Sequence, residues 1–535
     1  MPGVGELELR SSVDAMLNRW PCVGLAVGVV RGGSLEFFTG RGVADIASGA
    51  PVTEDTVFRV ASITKTFTAI AVMQLCEQGL IDLDAPAGGY LRAYRLIPAR
   101  ASFRPPTVRH LLTHTAGLGE VARPAGVLRP DFGESVKAGQ PVPSLAEYYR
   151  GVLRTGATPG TRFTYTNHGP ATLGQIVADV SGQPLDRYLR EHVFEPLGMS
   201  DTSLIRAELP SSRLATGYVL RSSGPRPVPY REMVTAGAAS ACSTPGDMAR
   251  YLAALLGGGA NSCGSVLKPA TLATMFEPQY QPDPRIPGMG LAFFRGQAGG
   301  HLVAEHQGTI PGFDSQIFVA PGDGTGVMAF TNGARRAMFW LPSEAAGLLG
   351  HLLGVPGEAI RTDVPHHPEI WGDICGWYYL PGPLTDARLR GMLGAGAEVV
   401  ARGGQLRLRG LSPVPAIYRG LVLHPDDNED PYVFRFDLPG SATGRVAFSQ
   451  EPGMGTTALH LDLMPLTLYK RPAAANPRRW ATGALAAGAA AVAARRLGAA
   501  RRRRRSARAP AARAEEIAQG DWAPGAVRKA IGETR

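Results

Sequence analysis

VFRVASITKTFTAIAVMQLCEQGL, residues 57–80, is apolar nearly all the way round. Such a stretch reads as a helix buried in a core rather than lying on a surface. Gly79 suits its C-terminal end. Ser62 and Lys65 sit near its start, three residues apart, which puts both side chains on one helix face about a turn apart. A serine hydroxyl is a poor nucleophile until a neighbouring base takes its proton. A lysine serves as that base once burial or nearby cations lower its pKa from about 10.4. An apolar helix supplies the burial, and its N-terminus favours negative charge that develops nearby.

The spacing alone is weak, because Ser265 and Lys268 repeat it in a polar loop before Pro269. That second pair reads as punctuation at a helix start. Lysine usage supports the first pair. The chain has only five lysines (65, 137, 268, 470 and 529) against fifty arginines. Arginine does not deprotonate in a protein and lysine can, so a lysine kept on a buried helix beside a serine reads as chemistry.

Working outward, residues 1–20 predict a short helix. Cys22 to Val30 predicts a strand that turns at Arg31-Gly32-Gly33 into a partner at Leu35 to Phe38. Residues 81–260 alternate helical stretches with Pro/Gly-rich loops. HLLTHTAGL (110–118) reads as a helix end, with His110 and His114 supporting it. GQIVADVSG (174–182), PLDRYLREHVF (184–194) and TPGDMARYLAALL (244–256) read as helices, the last with Thr244 as N-cap and Pro245 at its first position. From 289 to 332 the pattern changes to short strands with glycine turns: MGLAFF, HLVAEHQG, SQIFVAPGDG and GVMAFTN. Strands at both ends of a helical middle predict one sheet built from both termini of the domain, closed by a helix over 334–354.

At 535 residues the chain predicts two or three domains. The expected division is a first domain over 1–355, a linker rich in Pro, His and Glu over 356–370, a β-rich domain over 371–470 and an Ala/Arg-rich tail over 471–535. The tail holds fifteen of the basic residues and four of the acidic ones, leaving 40 against 41 in the rest. The net charge of +10 therefore belongs to the tail, and the folded part calls for no nucleic-acid partner. The tail reads as disordered or as an isolated helix; peripheral contact with an anionic membrane through Arg501 to Arg505 is the alternative. Five scattered cysteines without C-x-x-C spacing predict free thiols rather than disulfides or zinc. The start MPGVGELELR lacks a basic segment before an apolar run, which predicts no signal peptide and a cytoplasmic location.

VASITKTFTA (60–69), TVRHLLTHTAGLG (107–119), PGTRFTYTNHGPATLGQIV (159–177), VFEPLGMSDTS (193–203) and HQGTIPGFDS (306–315) occur in this order. Together they resemble the serine β-lactamase-related family, which includes class C β-lactamases, penicillin-binding proteins, D-aminopeptidases, D-Ala-D-Ala carboxypeptidases and esterases. S-x-x-K is that group's nucleophile signature. The resemblance covers about residues 10–350. It implies an α/β fold, with an antiparallel sheet flanked by helices and an inserted all-α subdomain. Residues 371–470 resemble the lipocalin-like domain that follows some members.

The resemblance also implies roles. Ser62 is the nucleophile and Lys65 its base. Tyr165, from Tyr165-Thr166-Asn167, shuttles the proton to the leaving group, and Asn167 holds substrate and lysine. His306-Gln307-Gly308 stands where β-lactamases carry Lys-Thr-Gly, so a permanent cation for a lactam carboxylate is missing. Gly308 lets substrate approach the strand, and the N–H groups of Ser62 and Thr309 form an oxyanion hole. The implied activity is hydrolysis of an ester or amide through an acyl-enzyme, of esterase or D-amino-acid peptidase type, with no metal or organic cofactor. The alternatives are a β-lactamase or acyltransferase, and a non-catalytic sensor of peptides or lactams. Oligomeric state stays open.

Overall fold

The structure, a computed structural model, describes residues 4–478 except 123–125, 127–128, 356–359, 362, 382–389, 391–392, 439–442, 452 and 454. Everything that positions the site lies in one compact unit ending at Arg471. The Ala/Arg-rich tail beyond Arg478 lies outside the described residues.

Strands β1 (Gly24–Arg31) and β2 (Ser34–Gly42) form the hairpin expected near the N-terminus. Four strands from the far end of the domain join them: β3 (Phe294–Ala298), β4 (His301–Ile310), β5 (Phe313–Ala320) and β6 (Thr325–Thr331). The sheet order is β3-β4-β5-β6-β1-β2, antiparallel throughout, so both ends of the domain build one sheet. The expected strand MGLAFF lies mostly before β3, whose pairing begins only at Phe294.

Strand β1 is buried on both faces, and its period of two sorts its side chains. Leu25, Val27 and Val29 pack with helices α1 (Val4–Arg19) and α5 (Ala337–Leu352), where the Trp20 and Trp340 rings stack 5.9 Å apart. Ala26 and Val30 face the opposite core, which holds Phe67, Ile70 and Leu252 from helices α2 (Thr64–Glu77) and α4 (Pro245–Leu256). The Thr244 hydroxyl accepts the Asp247 N–H at 3.1 Å and caps α4, with Pro245 at its first turn. Helix α3 (His168–Ser181) packs in the same core through Leu173, Ile176 and Val177. Sheet, flanking helices and helical middle give the α/β architecture anticipated above.

The buried helix begins later than expected. Phe58–Arg59 is a two-residue strand and Ala61–Ile63 a 3-10 turn; the α-helix proper runs from Thr64 to Glu77. Hydrophobicity alone does not separate these, because all three elements are buried in one core.

Eight further strands, β7 to β14, run from Gly376–Tyr379 to Leu466–Arg471 and close into an antiparallel barrel. Each strand pairs with the next, and the last pairs back with the first. Closure leaves no sheet edge exposed, and an eight-stranded barrel is narrow enough for side chains to fill it. Leu406, Leu423, Val446, Phe448, Leu459 and Leu468 do so. The same apolar cluster takes in Phe163 and Met289, with Tyr165 and Phe294 packed against it. An ion pair reinforces the junction: Arg285 reaches Asp283 at 2.7 Å, Asp430 at 2.8 Å and the Phe448 carbonyl at 2.9 Å.

Candidate active site

Ser62 lies in the 3-10 turn immediately before α2, and the residue before it is strained. Ala61 has φ of +48°, a left-handed conformation that costs a residue with a Cβ about 1 kcal/mol or more. Its neighbours hold it there. The Val60 N–H donates to the Ala241 carbonyl (3.0 Å), and the Ser315 hydroxyl donates to the Val60 carbonyl (2.9 Å). The Thr64 hydroxyl donates to the Ala61 carbonyl (2.6 Å) and accepts the Ala241 N–H (3.0 Å). The turn that carries Ser62 is thus clamped between strand β5 and the segment around Ala241.

Lys65 is 2% exposed, and its Nζ is 2.9 Å from Ser62 Oγ, Asn167 Oδ1 and the Ala238 carbonyl oxygen alike. Two of these three oxygens, an amide and a carbonyl, only accept. They therefore take two N–H bonds and leave the third direction for Ser62, whose hydroxyl can accept or donate. A neutral amine has two N–H groups and one lone pair, so this arrangement suits Lys65 as acceptor of the serine proton.

Tyr165 presents its ring to the same amine, with the centroid 5.0 Å from Nζ. The ring is braced by His114 (4.5 Å between centroids) and by Phe294 (6.3 Å). His114 is buried and lies at φ +55°. Its carbonyl accepts the Thr164 N–H at 2.8 Å and its Nδ1 accepts the Thr166 N–H at 3.3 Å, so it anchors the loop that carries Tyr165 and Asn167. Burial, then Lys65 and His306, push its pKa well below the ordinary histidine value. His110 caps its own short helix through Thr107. His110 thus supports the start of its helix rather than the end, and His114 supports the loop that carries Tyr165.

Strand β4 brings His306, Gly308 and Thr309 beside the turn. Pairing with β3 ends at Glu305, so residues 306–310 have an open edge. A Cβ on Gly308 would lie 2.2 Å from the Val60 carbonyl oxygen and 2.3 Å from Ser315 Oγ. Glycine is needed here so that the Ser62 turn can approach the strand. Residues two apart on a strand share a face, so Thr309 points opposite to His306 and Gly308. Its exposed side chain bonds Asp314 at 2.9 Å and offers the site only its backbone.

His306 is 1% exposed. Its Nδ1 donates to the Gln307 carbonyl at 2.8 Å, which leaves Nε2 as an acceptor, buried and without a partner. Burial first, then Lys65, push its pKa down to about 3, so the ring is neutral at physiological pH.

The sequence match to the beta-lactamase family model spans residues 10–347. The chain belongs to the beta-lactamase family. Among relatives, the esterase EstB of Burkholderia gladioli is 34% identical over 42% of this chain and 57% of its own length. Penicillin-binding protein 4 of Amycolatopsis lactamdurans is 28% identical over 64% of this chain and 89% of its own. The octameric penicillin-binding protein homologue of Pyrococcus abyssi shares the fold across 88% of this chain and 100% of its own, with a TM-score of 0.56 at 23% identity. That span extends the likeness in fold beyond residues 10–347.

Ser62, Lys65, Asn167 and the Tyr165 ring are brought together, with His306 and Gly308 on the adjoining strand. His168, the neighbour of Asn167, is 0% exposed and lies behind the site. Ser265 and Lys268 precede the helix Pro269–Phe276, where the Lys268 N–H donates to Glu77. Glu134 was not legible in the sequence. It lies between the turn Pro130–Gly133 and the short strand Ser135–Lys137, 2.6 Å from Asn167 Nδ2, and no motif marks it.

Proposed function

We propose that this protein is a serine hydrolase that cleaves an ester or amide through an acyl-enzyme on Ser62. The observation that carries the reading is the Lys65 amine, buried and 2.9 Å from the Ser62 hydroxyl. Lys65 takes the hydroxyl proton as Ser62 Oγ bonds to the carbonyl carbon. The N–H groups of Ser62 and Thr309 receive the oxyanion; a helical turn leaves its first N–H groups without internal partners, and β4 has an open edge at Thr309. Tyr165 passes the proton to the leaving oxygen or nitrogen as the tetrahedral intermediate collapses. Water then enters by the reverse route and frees the acid.

His306 sets the preference among substrates. Its buried ring is neutral and offers no cation to a carboxylate. That favours neutral esters and amides over β-lactams held by their carboxylate. Esterase and D-amino-acid peptidase activities therefore rank first. The test is turnover of short p-nitrophenyl esters, D-amino-acid peptides and a chromogenic cephalosporin by the purified protein. Ester or peptide turnover should exceed cephalosporin turnover in kcat/KM. Fast cephalosporin hydrolysis without ester or peptide cleavage would reverse the ranking.

A further inference from the structure

Behind the nucleophile lies a chain of buried polar groups that the reaction steps above do not use. Glu134 follows the turn Pro130–Gly133 and is 1% exposed. Its carbonyl accepts the Val234 N–H at 2.8 Å, which fixes the backbone. One carboxylate oxygen accepts the Asn167 amide at 2.6 Å. The other, Oε1, has no hydrogen-bond partner and lies 3.6 Å from His168 Nε2. His168 Nδ1 is 3.0 Å from the Tyr149 hydroxyl, and Nε2 is 3.2 Å from the Glu120 carbonyl. Burial pushes the Tyr149 phenol well above its ordinary pKa. The phenol therefore donates to Nδ1, and Nε2 carries the imidazole proton.

An amide side chain has an accepting end and a donating end, and nothing in Asn167 itself decides which one meets Lys65. Glu134 decides it. Its carboxylate oxygen accepts, so it takes the NH2 end and turns Oδ1 toward the lysine. We infer that Glu134 is a positioning residue for the catalytic lysine, acting through Asn167. A reversed amide would aim N–H at Lys65 and compete for the lone pair that must receive the serine proton. The inference rests on the Ser62–Lys65 reading of the site.

A second consequence concerns charge. Among the described residues, the titratable groups that face Lys65 include Tyr165 on the loop before α3, His306 on β4, His114 behind Tyr165, and, through Asn167, Glu134 with His168 and Tyr149. Burial keeps His306 and His114 neutral. Glu134 is the carboxylate of this set, two hydrogen bonds from the amine. A negative charge there favours the protonated lysine, because opposite charges stabilise each other. Removing it should move the acidic limb of the pH–rate profile to lower pH. Loss of packing alone would not move that limb.

The experiment compares wild type, Glu134→Gln, Asn167→Ala and the double variant in the full chain. Fluorophosphonate labelling and p-nitrophenyl ester hydrolysis are followed from pH 5 to 9 (roughly the range of active-site titrations). Glu134→Gln should slow acylation by up to about 100-fold, the scale on which a misplacement near 1 Å lowers a rate. Its acidic limb should move down in pH. In the Asn167→Ala background the same change should add little, because residues that act through one another are not additive. If Glu134→Gln costs the same factor in both backgrounds, or leaves rate and limb unchanged, the inference is overturned. Should the glutamine variant fail to fold, Glu134→Asp carries the test: it keeps the charge, so its rate should fall while its limb stays, and a shifted limb overturns the inference. Ser62→Ala separates this from failure of the site itself. Labelling that persists in Ser62→Ala removes the nucleophile assignment; labelling lost there but untouched by Glu134→Gln removes only the role of Glu134.

Discussion

Replacing Gly308 by alanine tests how tightly strand β4 holds the nucleophile turn. The new Cβ would stand 2.2 Å from the Val60 oxygen, 2.3 Å from Ser315 Oγ and 3.2 Å from Ala61 Cβ. Non-bonded atoms settle at about 3.5 Å, so strand and turn must part by roughly 1 Å. Rotation of a flexible side chain does not relieve this, because the nearest atom is backbone. The Ser315 hydroxyl, which bonds the Val60 carbonyl at 2.9 Å, must also move. Overpacking of this kind costs about 1–3 kcal/mol, a fall in Tm of several degrees. The kinetic effect should be larger in proportion, since Val60 lies two residues before Ser62, and a shift near 1 Å in an active site costs about 100-fold in rate. The assay is the second-order rate of fluorophosphonate labelling beside a thermal melt of the same preparation. The expected result is labelling about two orders of magnitude slower in a protein that is still folded. Labelling and melting both at wild-type values would show that the strand does not approach the turn as described, and would refute the reasoning.

Other perturbations give separate readouts. His306→Gln should flatten the dependence of Tm on pH. In the wild type the folded ring titrates near 3 and the unfolded ring near 6.5, so between those values the unfolded state binds the extra proton and stability falls as pH falls. Above pH 6.5 this difference vanishes. A variant curve parallel to wild type between pH 6.5 and 4 would contradict the burial of a neutral His306. Arg285→Ala leaves Asp283, which is 5% exposed, and Asp430 without their cation. Breaking such a pair should cost about 2 kcal/mol or more, read as a lower denaturant midpoint; an unchanged midpoint would mean the arginine does not tie the 283–285 loop to the barrel.

Much of this was legible in the sequence because the deciding features are local or periodic. Ser62 and Lys65 declare themselves by spacing within one apolar stretch. The hairpin at Arg31-Gly32-Gly33, the cap at Thr244 and the alternating strands after 289 follow from turn chemistry and period. Other features depend on tertiary neighbours. The left-handed Ala61 is held by three hydrogen bonds between its neighbours and distant segments and one local bond from Thr64, and no property of alanine predicts it. Gly308 was read as room for substrate, whereas the close atoms belong to the nucleophile turn. Glu134 lies between a short turn and a three-residue strand, elements too short for any sequence pattern to fix. The reading of β-structure after 371 did not anticipate that the barrel's apolar cluster would extend to Phe163 and brace the Tyr165 ring. That contact joins segments more than two hundred residues apart.

The central claim is that the Ser62 hydroxyl, activated by the buried Lys65 amine, forms the covalent bond to substrate. Mapping the fluorophosphonate adduct by peptide mass spectrometry tests it most directly, in wild type and in Lys65→Met. One adduct on Ser62, formed at least about 100-fold more slowly without the lysine as general-base loss implies, is the predicted result. An adduct on Ser265 or elsewhere, or equal labelling of Ser62 in both proteins, would contradict it.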